Sequence, residues 1–205
     1  MNDNAETERN DKSTDMRSIA RFLFEVGCLK RVPRSGWWLI GIRNGESVAE
    51  HVFRTAILGF ILAQIAKADP WRTALMCLVH DFGETRVGDQ HAIARRYLSS
   101  HAPELQAAND AVSELPNEMR GVFSELLNEF EAAASLESRL ARDADTLECA
   151  LQACEYKSVG IQTAAEFAIA SESRLNTSVA RQLYQAIIST DPAEWRNHVF
   201  RSREE

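Results

Sequence analysis

Apolar residues recur at helical spacing along most of this chain. Ile19, Phe22, Leu23 and Val26 form the first such stripe, and a repeat near 3.6 residues marks a helix with one apolar face turned inward. The stripe ends near Lys30, ahead of Pro33. Ser47 and Glu50 stand at capping-box spacing before an apolar stretch that reaches about Ala66. Asp69-Pro70 supplies an N-cap and a first-turn proline for a third helix, which the pattern carries from Trp71 to about Asp81. That segment is apolar on nearly every side around Leu75, Met76, Leu78 and Val79, which predicts a buried central helix. A more polar helix follows over Gln90 to Ser99, and Pro103 and Pro116 each open an amphipathic helix. A long helix from about Leu136 to Tyr156 carries Leu136, Leu140, Leu147 and Leu151 on one stripe. A last helix spans Ser178 to Ile188, and Trp195 is expected to dock the C-terminal segment. No stretch alternates as a strand would. The pattern predicts an all-α fold, one helical domain over residues 16–205, behind a polar tail at 1–15 that buries too little surface to order itself.

Charge narrows the function. The 205 residues hold 23 Lys+Arg against 30 Asp+Glu, a formal net charge of −7. An acidic surface repels phosphate backbones and anionic bilayers, so no nucleic-acid or membrane partner is expected. A small anionic substrate stays open, because a local cation reverses the field inside a cleft. The longest strong apolar run, Ala56 to Ala63, falls far short of the roughly 20 residues a membrane span needs. The N-terminal residues offer no apolar signal region. Cys28, Cys77, Cys149 and Cys154 form no CxxC pair and read as reduced core thiols, which points to a cytoplasmic protein.

The candidate chemistry sits at the end of the third helix, Val79-His80-Asp81-Phe82-Gly83-Glu84. A buried run that ends in an adjacent imidazole and carboxylate is costly unless the charge is paired or bound to a cation. These N and O donors suit a divalent metal. Glu84 follows Asp81 by three residues and reaches a similar face if the helix continues. Read as packing alone, His80 caps the helix and both carboxylates face solvent. Three further positions change the balance: His51 in the first turn of the preceding helix, Asp89 in the turn Arg86-Val87-Gly88-Asp89, and Asp145 in Asp143-Ala144-Asp145. Glu50 is explained by its capping role. Asp145 lies about 180° from Leu136 on a wheel of 100° per residue, on the face of Ala141, Cys149 and Gln152. That face is either solvent or a close-packed wall. Asp143 lies nearer the leucine stripe and is the poorer ligand.

The order His51, His80-Asp81, Asp145 resembles the H…HD…D pattern of the HD-domain metal-dependent phosphohydrolases. The blocks Glu46-Ser47-Val48-Ala49-Glu50-His51, His80-Asp81-Phe82-Gly83-Glu84, Val87-Gly88-Asp89 and Asp143-Ala144-Asp145-Thr146-Leu147-Glu148 resemble its 5′-deoxynucleotidase branch. The resemblance spans roughly Met16 to Gly160. It implies an HD-domain helical bundle holding one divalent ion (Mn²⁺, Co²⁺ or Mg²⁺) through His51, His80, Asp81 and Asp145. Glu84 and Asp89 take catalytic places beside the ion, and Arg34 and Trp37 take substrate-binding places. The family's adjacent Arg-Trp pair is not reproduced, since this chain reads Arg34-Ser35-Gly36-Trp37. Arg54 is a further phosphate candidate, with a solvated helix charge as its plainer account. His91 and His101 show no ligand context, which favours one ion over two.

The function implied is phosphate release from (deoxy)nucleoside 5′-monophosphates. Alternatives are an HD-type hydrolase of nucleoside triphosphates, cyclic dinucleotides or another phosphorylated metabolite, an HD-type oxygenase, and a non-catalytic helical interaction module. Related nucleotidases are often dimers, and the amphipathic helices between Glu104 and Ser135 offer surface for a homodimer.

Overall fold

The computed structural model describes residues 15–98 and 102–201. The expected tail, apart from Asp15, and the candidate His101 lie outside them. Helix α1 (residues 15–26) runs into a 3-10 turn, Gly27–Lys30, and a second 3-10 turn covers Trp37–Ile40. The remaining helices are α2 (Val48–Ala66), α3 (Pro70–Val79), α4 (Glu84–Val87), α5 (Ala92–Arg95), α6 (Ala102–Ser113), α7 (Asn117–Ala132), α8 (Leu136–Ser158), α9 (Ala165–Glu172), α10 (Ser178–Ser189) and α11 (Glu194–Arg201). No strand occurs among the described residues; an isolated antiparallel bridge joins Pro33 to Ser47. The all-α expectation holds.

The predicted starts of α2 and α3 are built as the sequence indicates. Glu50 accepts the Ser47 N–H at 2.7 Å while Ser47 Oγ accepts the Glu50 N–H at 3.3 Å, the reciprocal bonding of a capping box. Asp69 Oδ1 accepts the N–H groups of Trp71 and Arg72, both at 3.0 Å. Helix α3 stops at Val79, two residues before the predicted end, and His80 to Gly83 form a turn. It is also not buried all round. Thr73, Met76, Cys77 and Val79 are buried, whereas Trp71, Leu75 and Leu78 are exposed. The predicted helix at 90–99 shrinks to the four exposed-to-half-buried residues of α5.

The chain falls into two compact units, residues 1–52 with 78–132, and residues 53–77 with 133–205. In the first, Phe22 of α1 meets Phe82 edge-on, with ring centroids 5.6 Å apart, and both rings pack against Phe123 of α7. Helices α6 and α7 pair through Ala107, Ala108, Ala111, Val112, Leu126 and Leu127, all buried. Gly83 makes the approach of α6 possible: a Cβ there would run into the backbone carbonyl of Glu104. Only the missing side chain lets that backbone come so near.

The second unit is organised by α8, which packs on α9 and α10. Leu140, Ala144, Leu147, Ala150 and Ala153 are fully buried along it, a small-and-large alternation that lets neighbouring helices approach. Ser135 caps the helix by accepting the Ser138 N–H at 3.0 Å. Asp143 is buried and accepts from Asn176 and Thr177, including the Thr177 hydroxyl at 2.6 Å and the Asn176 N–H at 2.6 Å. It therefore anchors the start of α10. Gly59 of α2 admits the Cys77 sulfur and Thr73 of α3 into the space a Cβ would fill. Trp195 on α11 is 68% exposed. It does not dock the C-terminal segment as expected, because α11 turns its indole to solvent.

Candidate metal centre

The site grows from three short pieces of the first unit. The capping box fixes the first turn of α2 and with it His51, which is fully buried. The turn after α3 carries His80 and Asp81, and α4 begins at Glu84. A loop carrying Arg34 is held beside them by backbone bonds, Arg34 N–H to Glu46 at 2.9 Å and Val48 N–H to Val32 at 2.9 Å.

His51 Nε2 lies 3.6 Å from Asp81 Oδ2, and His80 Nε2 lies 3.1 Å from Asp81 Oδ1. One donor atom from each of these residues lies within 4.8 Å of the others. Donors about 2.1 Å from one ion stand roughly 3–3.5 Å apart, so this spacing fits a shared cation. A second cluster, Asp81, Glu84 and Glu104, shares Asp81 with the first and obeys the same limit. Phe130 packs against the His80 ring at 4.8 Å and shields it.

The electrostatics ask for positive charge. Asp81 and Glu84 are buried, and among the described residues Asp81 Oδ2 and both Glu84 carboxylate oxygens have no hydrogen-bond partner. Arg34 approaches Asp81 Oδ2 at 3.7 Å, too far for a hydrogen bond. Burial, then Asp81 and Asp89, push the Glu84 carboxyl up to about 11, against a weaker opposing pull from Arg34. Buried carboxylates left this way are costly unless a cation completes them. The donor set, two imidazoles and several carboxylates, suits a hard or borderline divalent ion.

The other expected residues take distinct places. Asp89 follows Gly88, whose φ of +71° makes the turn, and it accepts the Ser35 N–H, which ties the Arg34 loop to the turn after α4. Trp37 is only 3% exposed and donates its indole N–H to Glu46 at 2.9 Å. It is placed as a packed loop anchor and offers no open face for stacking. The open indole is its neighbour Trp38, 55% exposed and edge-on to His91 at 5.1 Å. His91 itself caps α5, its Nδ1 accepting the Ala94 N–H. Asp145 belongs to the second unit, on α8, with Arg174 at 3.9 Å. Arg54, also in that unit, is no solvated charge. It donates to Glu148 at 2.7 and 2.9 Å, to Glu155 at 2.6 Å and to Gln152 at 2.9 Å. That occupancy answers its candidacy as a phosphate contact. The sequence reading missed Glu104, whose only local signal was its place at the opening of a helix.

The HD-domain family matches residues 26–187. The human protein 5′-deoxynucleotidase HDDC2 is 34% identical over 142 residues, covering 69% of each chain. The solved structure of a conserved hypothetical protein from Pyrococcus furiosus superposes with a TM-score of 0.72 at 30% identity, covering 83% of this chain and 99% of that one. A structure from Magnetospirillum magnetotacticum, described as a predicted metal-dependent phosphohydrolase, shares the fold with a TM-score of 0.66 at 22% identity, over 85% of this chain and 91% of that one. With its histidine–aspartate cluster in place and the family matched over most of its length, this chain belongs to the HD-domain family.

Proposed function

We propose that this chain is a metal-dependent 5′-nucleotidase that releases phosphate from deoxynucleoside 5′-monophosphates. The observation that carries the proposal is the buried cluster in which Asp81 lies between His51 and His80 while its Oδ2 and both oxygens of the neighbouring Glu84 have no hydrogen-bond partner among the described residues. The similarity to 5′-deoxynucleotidases supplies the substrate class. In this reading His51, His80 and Asp81 hold one divalent ion, Mn²⁺, Co²⁺ or Mg²⁺. Asp145 is the fourth ligand implied by the sequence pattern, and metal content of an Asp145→Ala variant tests it. Bound there, the ion would acidify a water molecule and offset phosphoryl charge.

The protein groups divide the remaining work. Arg34, on a loop pinned by Asp89 and Glu46, brings a fixed guanidinium to the substrate phosphate. With the ion bound, its positive charge would return the raised Glu84 carboxyl to its ionised form, and Glu84 would then accept the proton of the attacking water as the P–O ester bond breaks. The released sugar hydroxyl takes up a proton, so phosphate and a nucleoside leave. In the same reading Asp89 holds a substrate hydroxyl. Trp37 contributes by fixing the Arg34 loop.

The test is phosphate release from deoxy- and ribonucleoside mono- and triphosphates after chelation and reloading with each metal. Metal-dependent release from the deoxynucleoside monophosphates supports the proposal. Release from triphosphates alone, or from none of them, overturns it.

A further inference from the structure

Serine hydroxyls in this chain commonly settle on nearby backbone. Those of Ser113, Ser158, Ser171 and Ser189 donate to a carbonyl three or four residues earlier, at 2.7 to 2.9 Å, the usual local arrangement. Ser35 departs from it. Its Oγ is buried and has no hydrogen-bond partner among the described residues. The other side-chain oxygens in that condition, Asp81 Oδ2 and both oxygens of Glu84, all belong to the candidate metal centre. The loop ties Ser35 to that centre twice. Trp37 donates its N–H to the Arg34 carbonyl at 3.3 Å, which folds Arg34 to Trp37 into a turn with Ser35 at its second position. Its neighbour Arg34 brings a guanidinium to 3.7 Å from Asp81 Oδ2. Its own N–H goes to Asp89, a carboxylate near enough to raise the Glu84 carboxyl. This turn is also where the chain departs from an adjacent Arg-Trp pair: Trp37 is packed away, and the residue after the arginine carries a hydroxyl.

On the reading of this site as one that takes a phosphomonoester, we propose that Ser35 Oγ binds the phosphate group of the substrate. It donates a hydrogen bond to a non-bridging oxygen beside the Arg34 guanidinium. A buried hydroxyl without a partner destabilises the free protein, and a ligand oxygen that supplies the partner removes that penalty. Phosphate suits the position. The non-bridging oxygens of the dianion offer lone pairs and no proton, so they match a donor. Arg34 supplies the positive charge and Ser35 a directed bond. The sugar hydroxyl is the poorer fit, because the acceptor it would seek is Asp89. Reaching the ligand needs no movement of the loop. A serine side chain turns about one bond, χ1, between staggered positions, while the backbone bonds of Arg34, Ser35 and Trp37 stay as they are.

The test uses the Mn²⁺-loaded full chain and its Ser35→Ala variant, with inorganic phosphate and 2′-deoxyadenosine as separate probes in titration calorimetry. Melting of chelator-treated, phosphate-free protein is measured in parallel. The expected result is a phosphate Kd raised roughly 10-fold or more by Ser35→Ala, as for a lost hydrogen bond to a charged group. Affinity for deoxyadenosine should be unchanged, and the melting temperature should not fall, since the hydroxyl leaves no protein partner behind. Equal phosphate affinity in the two proteins overturns the proposal, as does a full chain that binds no phosphate. Weakening confined to deoxyadenosine assigns the hydroxyl to the sugar and overturns it too. A melt lowered by about 4 °C or more shows that the hydroxyl holds the fold together, with the same consequence. A chain that binds phosphate through Ser35 yet releases none from nucleotides would end the nucleotidase proposal and leave this one standing.

Discussion

Replacing Glu84 by Gln should make the metal-free protein more stable while removing its activity. Glu84 is 1% exposed, and neither carboxylate oxygen has a hydrogen-bond partner among the described residues. Burial, Asp81 and Asp89 raise its pKa from 4.5 to about 11. Across that window the folded, metal-free chain keeps a proton that the unfolded chain has released. The folded state binds more protons there, so stability falls as pH rises above 4.5. One proton corresponds to about 1.4 kcal/mol per pH unit, so roughly 4 kcal/mol is lost between about pH 5.5 and pH 8.5. For a chain of this size each kcal/mol moves the melting temperature by about 2–4 °C, giving a loss of about 8–16 °C. Glutamine does not titrate. The melting-temperature difference, Glu84→Gln minus wild type, should therefore grow by about that amount over the same range in chelator-treated protein. Titrating groups remote from Glu84 act alike on both proteins and cancel in the difference. A difference that stays constant with pH would refute the reasoning. In the metal-loaded enzyme the same variant should lose about 10²–10⁴ in kcat, as expected for a lost general base, the trade between stability and function that active sites make.

Arg54→Met takes the paired guanidinium from the buried Glu148, whose side chain is 1% exposed, and should cost about 3–5 kcal/mol in thermal unfolding. Adding Glu148→Gln should return much of that; a single-variant cost under about 1 kcal/mol would show that the pair is not what holds the carboxylate. Asp143→Ala removes the acceptor for Asn176 and Thr177 and should lower stability by about 2–4 kcal/mol. Metal content should be unchanged, and a variant that loses metal would make Asp143 a ligand. Gly83→Ala drives a methyl into the Glu104 carbonyl and should cost about 1–3 kcal/mol. A neutral result in a melt would mean that α6 moves aside easily.

Much of the fold could be read from sequence because its signals are local. Ser47 with Glu50 and Asp69 with Pro70 set the starts of α2 and α3 through bonds spanning two or three residues. The misreadings share a non-local cause. Helix α3 ends early because His80 to Gly83 must turn beneath Glu104, and that approach depends on a residue 21 positions away in sequence. Its all-round apolarity suggested burial, yet Trp71 and Leu75 are exposed. Composition does not tell a core face from an exposed one. The site behaves likewise: His51, His80 and Asp81 follow from motif order, whereas Glu104 joins them only through helix packing. Trp37 and Trp38 are adjacent and alike in sequence. The phase of the 3-10 turn decides which is packed and which is open.

The central claim is that a divalent ion held at the His51–His80–Asp81 cluster is required for phosphate release from a deoxynucleoside monophosphate. The direct measurement is release by chelator-stripped protein before and after Mn²⁺ or Co²⁺ is returned, in wild type and in Asp81→Asn. The account predicts no release from stripped protein, recovery on adding metal to wild type, and no recovery in the variant. Full release without metal, or full recovery in Asp81→Asn, would contradict it.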